Sequence, residues 1–105
     1  MRKAVVYFKN EIAGYLSDLD DHFEFAYESD YVKHGPAISV TLPLSKEPYV
    51  SKTLHPFFDG LIVEGWLLKT VENNWKIDPN DRMSLLLLTG KDTVGAVSVI
   101  EVKNK

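Results

Sequence analysis

The sequence predicts an α+β domain with a mainly antiparallel sheet of about five strands and two helices inserted before the last strand. Three observations carry this reading. Residues 3–8 and 12–16 are largely apolar, aromatic or β-branched, and apolar and polar residues alternate with a period of two over 23–27 and 38–44; the period lengthens to that of a helix from about Phe57 to Val71; and β-branched residues return from Gly95 to Val102. With 105 residues, 45% hydrophobic and 26% charged, the chain has material for one core and not for two, so residues 1–105 are read as a single domain.

Lys3 to Phe8 and Ile12 to Leu16 are largely apolar, aromatic or β-branched, and Lys9-Asn10-Glu11 turns between them, which gives a hairpin. Asp18-Leu19-Asp20-Asp21 makes the next turn. Phe23, Phe25 and Tyr27 then alternate with Glu24 and Ala26, placing three rings on the core face of a third strand. After the polar stretch Glu28 to Pro36, Ile38, Val40, Leu42 and Leu44 alternate with Ser39, Thr41 and Pro43. This is read as a fourth strand, at an edge or ending at Pro43, which cannot donate to a ladder. Ser45 to Lys52, with Pro48, is read as a connecting loop.

Between Phe57 and Val71 a stripe of Phe57, Phe58, Leu61, Leu68 and Val71 forms at about 100° per residue, an amphipathic helix ended by Asn73-Asn74. Trp75 is expected to plug the core between the helices. Asp78-Pro79 reads as an N-cap and first helical residue, with Asp81 in the first turn and Gly90 just past the end of a second helix of about three turns. In Gly95 to Val102 both alternating sets are partly apolar, so this strand is expected in the sheet interior, covered on both faces.

Composition excludes several function classes. The net charge is -3 with Lys and Arg scattered, which does not suit a phosphate backbone; the basic end, Lys103 to Lys105, reads as a solvated tail. Direct nucleic-acid binding is not expected. Cysteine is absent, which removes disulfides, thiolate metal sites and cysteine nucleophiles together and is compatible with a reducing cytoplasm. Ala4 to Phe8 is too short for a signal-peptide core, and Leu85 to Leu88 falls far below the roughly 18 apolar residues of a membrane span. A cytoplasmic protein without membrane contact is expected.

No chemistry-bearing constellation emerges. His22, His34 and His55 lack ligand spacing, and the Asp-rich turn lacks the central Gly and distal Glu of a calcium loop. There is no phosphate-cradling loop and no nucleophile elbow. Asp59 and Glu64 fall on different sides of a continuous helix. No catalytic, cofactor-binding or metal-binding residue is assigned. Lys91-Asp92 reads as a cap or salt bridge.

Gly60 and Gly65 each cost a helix about 1 kcal/mol relative to Ala. Close packing on the sheet, or a break around Val63-Glu64-Gly65, accounts for them; alternatively the break exposes a recognition edge beside Trp66. On a continuous helix Trp66 projects opposite the apolar stripe. It either packs on a loop or contacts a partner, a role for which Trp is favoured because it covers much apolar area at little rotamer entropy.

Three segments in order, Gly35-Pro36-Ala37-Ile38-Ser39 with Leu42-Pro43-Leu44, Phe58-Asp59-Gly60-Leu61 with Glu64-Gly65, and Gly90, Asp92 and Gly95-Ala96-Val97, resemble the N-terminal subdomain of the HipA family of toxin-antitoxin serine/threonine kinases. The likeness runs from about Tyr31 onward, and the N-terminal hairpin agrees in pattern. Val63 stands where the family commonly has Pro, and Lys91 where it commonly has Arg, whose bidentate contact Lys does not copy. The resemblance implies a subdomain that packs beside ATP-binding lobes, helps contact a DNA-binding antitoxin and carries no catalytic residue. Nothing here resembles the family's catalytic or Mg²⁺-binding loops, and the chain stops where the catalytic lobes are expected to begin.

The resemblance also includes a split arrangement, in which a short protein of this type acts as antitoxin on a kinase lacking the subdomain. It therefore implies a non-enzymatic regulator without cofactors. Its partner would be a separate HipA-like kinase, with a helix-turn-helix repressor in the same complex. Trp66, Glu64, Gly65 and Phe58 are the expected contact residues, with Trp66 presented to the kinase cleft. The alternative is a structural accessory domain that supports the kinase's activity; the sign of the effect on the kinase separates the two.

Overall fold

The computed structural model describes residues 2–62, 81–89 and 96–102. Five strands, β1 (Arg2–Phe8), β2 (Glu11–Asp18), β3 (Phe23–Tyr27), β4 (Tyr49–Ser51) and β5 (Val97–Val102), form one antiparallel sheet in the order β4-β3-β2-β1-β5. The described helices are α1 (Ser29–Val32), α2 (Pro56–Asp59) and α3 (Arg82–Thr89), the last two between β4 and β5. The class is α+β.

The first hairpin closes through Lys9-Asn10 alone, with φ of 50° and 70°. Two successive left-handed residues give the turn whose twist matches paired strands, and Asn tolerates that region well. Between Val6 and Tyr7 the pairing skips Ala13, a bulge whose carbonyl accepts from the Glu28 N–H at 2.8 Å. At Gly14 an added Cβ would lie 2.4 Å from the Ala26 carbonyl oxygen and 2.9 Å from the Phe25 ring. Glycine there lets the ring lie across β2.

One face of the sheet is the core. Ala4, Val6, Leu16, Phe25, Tyr27, Val97 and Val99 are buried on it, and Phe58 from α2 with Met83, Leu85 and Leu86 from α3 complete the same cluster. The register places Val5 between Ile100 and Tyr15 on the opposite face, where Ile100 is 46% exposed.

The fourth strand differs from the expected one. Ile38 to Leu44 is a tight turn with a single bridge between Ser39 and Leu42, closed by the Leu42 N–H on the Ser39 carbonyl at 3.0 Å. Ile38 and Leu42 are buried while Val40 is 96% exposed, a spacing no strand produces. Tyrosine hydroxyls supply the reason. That of Tyr27 accepts from the Ile38 N–H at 3.0 Å and donates to the Leu42 carbonyl; Tyr31 donates to the Pro36 carbonyl at 2.6 Å and Tyr49 to the Pro43 carbonyl at 2.5 Å. The fourth strand is instead Tyr49–Ser51, inside the stretch read as a loop, paired with Phe23 to Phe25.

The helices and the last strand differ further. Of the helix expected from Phe57 to Val71, the described part is one turn, after which the N–H groups of Leu61 and Ile62 bond the carbonyls three residues back, Phe58 and Asp59; residues 63–71 lie outside the described residues. At the described start of α3 the Asp81 carbonyl accepts from the Leu85 N–H at 3.2 Å and its carboxylate from the Ser84 N–H at 3.2 Å, a capping arrangement. Finally, among the described residues β5 lies at an edge of the sheet, paired with β1, and Ile100 on its outer face is 46% exposed. Asp78-Pro79, Trp75, Gly90 and Lys91-Asp92 lie outside the described residues.

Candidate functional site

The residues leading into the expected contact segment are built up from His55. Its Nδ1 accepts from the Phe57 N–H at 3.1 Å and its carbonyl from the Asp59 N–H at 3.0 Å, while Pro56 occupies the first turn, where no intrahelical donor is needed. This cap orients Phe58 inward. Phe58 is fully buried, its ring centroid 5.2 Å from that of Phe25, 5.2 Å from that of Phe57 and 6.4 Å from that of His55. In the isolated chain it therefore belongs to the core. Ile62, the last described residue on this side, is also buried.

Glu64, Gly65 and Trp66 lie outside the described residues. What the structure does define is how the flanks of that segment are fixed. Asp59 accepts from Arg82 Nε at 2.6 Å, joining the end of α2 to the start of α3. Asp81 is held by Arg2, whose guanidinium donates through Nη1 and Nη2 to the two Asp81 oxygens at 3.0 Å each, through Nη1 to Ser84 Oγ at 2.7 Å, and through Nε and Nη2 to Asp18 Oδ2 at 3.2 and 2.6 Å. Every donor of Arg2 is used. Burial opposes ionisation of Asp81, but the hydrogen bonds from Arg2 and Ser84 outweigh it and hold the carboxyl below its usual range. Arg2 was not among the expected functional residues, and no local signal marks it, since its partner lies 79 positions along the chain.

The histidines serve structural contacts. His22 sits 2.7 Å from Asp21 and 3.5 Å from Glu24, and the Asp21 hydrogen bond, followed by Glu24, raises its pKa. His34 meets Glu11. Among the described residues no group of three or more His, Asp or Glu is placed to hold a metal, and no described helix is long and apolar enough to cross a membrane.

His55 makes the cap pH-sensitive. Only the imidazole with an unprotonated Nδ1 accepts from Phe57, and burial pushes its pKa below the ordinary 6.5. The unfolded chain then takes up the proton first, so this stabilisation is complete above 6.5 and is lost as pH falls below it. His22, with a raised pKa, has the opposite sign: its contribution is complete below 6.5 and lost as pH rises through the folded value. His55→Asn keeps a capping oxygen and does not titrate. Between about pH 8 and about pH 5, the thermal midpoint of the wild type should fall relative to that of His55→Asn; parallel curves would show that the cap is not coupled to pH.

The HipA N-terminal domain family matches residues 4–100. The chain belongs to this family. A solved HipA N-terminal domain, described as the N-terminal domain of HipA toxin, superposes with a TM-score of 0.78 at 29% identity, covering 100% of this chain and 96% of that one. An uncharacterized protein of Haemophilus influenzae is 34% identical over 103 residues, 98% of this chain and 95% of its own length. A longer chain, from the Shewanella oneidensis MR-1 toxin-antitoxin complex of HipA, HipB and operator DNA, shares the fold with a TM-score of 0.75 at 24% identity; the match covers 92% of this chain and 23% of that one. What the chain matches is thus the HipA N-terminal domain and not the kinase catalytic part.

Proposed function

We propose that this HipA N-terminal domain acts as a non-catalytic antitoxin, binding and restraining a separate HipA-like serine/threonine kinase that lacks the domain. The carrying observation is the extent of the match. The Haemophilus relative is covered over 95% of its length, so the same domain recurs there as nearly the whole of a protein. In the Shewanella complex of HipA, HipB and operator DNA the corresponding part is 23% of a larger chain. A domain of this kind on its own chain has a kinase as its natural partner, in a cytoplasmic complex that includes a helix-turn-helix repressor.

The contact surface is assigned to Trp66 with Glu64 and Gly65. Phe58, once counted with them, supports the segment from the core. Trp66 would enter the kinase cleft, where a large ring excludes water from the site it blocks.

Co-expression with a HipA-like kinase that lacks the domain should relieve growth arrest, and the purified protein should lower substrate phosphorylation. Trp66→Ala should weaken binding by about 30-fold, corresponding to a hot-spot loss of about 2 kcal/mol. A rise in kinase activity on adding the protein would assign it the accessory role instead. Unchanged toxicity and unchanged activity would sink both readings.

A further inference from the structure

His55 differs from the other two histidines in what it faces. His22 stands against Asp21 and Glu24, and His34 against Glu11. The Nδ1 of His55 stands instead against a backbone donor, the Phe57 N–H at 3.1 Å, and among the described residues the ring makes no ion pair. A proton on Nδ1 turns that acceptor into a second donor, so the hydrogen bond is lost.

The elements packed on the ring offer no replacement. It shares a recess with Leu16 of β2, with Phe23, Glu24 and Phe25 of β3, and with Tyr49 and Ser51 of β4. Of the titratable groups there, Glu24 Oε2 lies 3.5 Å from His22 Nε2, and the Tyr49 hydroxyl donates to the Pro43 carbonyl. On α2 itself the Asp59 carboxylate is held by Arg82.

What the cap fastens is small. The described α2 is one turn, and helices this short do not hold by themselves. Three contacts secure it: the His55 cap, Phe58 in the core and Asp59 on Arg82. Of these side-chain types only an imidazole ordinarily changes charge near neutral pH. The chain then runs from Ile62 directly to Glu64, Gly65 and Trp66.

We propose that His55 is a positioning residue for the partner contact, a latch worked by a proton. Neutral, it fastens α2 and the approach to Trp66; protonated, it lets α2 go, and affinity for the partner falls. Taking that segment as the contact and a kinase as the partner rests on the reading above. Acid then frees the kinase from restraint, while binding is constant above 6.5, where the ring is already neutral.

The test compares wild type with His55→Asn, whose cap does not titrate. Affinity of each for a HipA-like kinase lacking the domain is measured at about pH 7.5 and about pH 5, and the ratio between the two proteins cancels groups that titrate on the kinase. On acidification wild type should lose about fivefold more affinity than the variant, the worth of one helix cap. A ratio that does not change with pH overturns the proposal. Hydrogen exchange of the free proteins at about pH 5 should show the Asp59 and Gly60 amides, which bond the His55 and Pro56 carbonyls, less protected in wild type than in His55→Asn. Equal protection also overturns it. If neither protein binds the kinase at either pH, the antitoxin reading fails and exchange alone decides the latch. Should His55→Asn not fold, His55→Asp, ionised over this range, takes its place.

Discussion

Phe58→Ala is expected to lower the unfolding free energy by about 3–5 kcal/mol, the range for truncating a fully buried phenylalanine. Phe58 is 0% exposed and touches rings from two directions, Phe25 on the sheet and Phe57 beside it, so the vacated space has no neighbour free to fill it. Phe58→Leu keeps most of the volume and should cost less than about 1.5 kcal/mol. Denaturant titration of the two variants measures the difference, and a kinase-binding assay on Phe58→Leu measures the other half. If Phe58→Ala left stability intact while Phe58→Leu abolished binding, the residue would return to the contact surface. The expected result is the reverse: a large loss of stability, and near-normal binding by whatever fraction stays folded.

Tyr27→Phe is the second large effect, about 2–4 kcal/mol, although it deletes one oxygen atom. That oxygen serves two backbone groups, accepting from the Ile38 N–H and donating to the Leu42 carbonyl, both in buried residues. Its removal orphans a donor and an acceptor together, and each unsatisfied group costs about 1–3 kcal/mol. Burial is also the first cause that raises the Tyr27 pKa, so the hydroxyl stays protonated and able to donate at ordinary pH. Hydrogen exchange should show Ile38 and Leu42 losing protection while the β1–β2 amides keep theirs. Uniform loss across the sheet would mean that Tyr27 holds the whole fold rather than the turn. No change anywhere would mean that the hydroxyl contributes nothing.

These two residues also show what the sequence made legible. The first three strands could be read because β1 and β2 are rich in apolar, aromatic and β-branched residues about a turn, β3 alternates, and each pairs with its chain neighbour, so local pattern and topology agree. The alternation of Ile38, Val40, Leu42 and Leu44 is just as regular, yet hydroxyls from Tyr27, Tyr31 and Tyr49 fold that stretch into a turn. Period alone carries no record of such distant donors. Apolar residues on both faces of β5 fit an edge strand beside a cleft as well as an interior one. Phe58 stood both on the core stripe and among the contact residues; packing places it in the core. Trp66, Glu64 and Gly65 rest on helical spacing and family likeness, and the Trp66→Ala measurement decides them.

The fastening of Asp81 by Arg2 and of Asp59 by Arg82 has an evolutionary consequence. The chain is held at Asp59 on one side of the proposed contact residues and at Asp81 and Arg82 on the other. Exchanging Trp66 or Glu64 removes no member of either clasp. A lineage can therefore retune those contacts toward a changing partner with both clasps kept, and relatives should vary least at Arg2, Asp18 and Asp81.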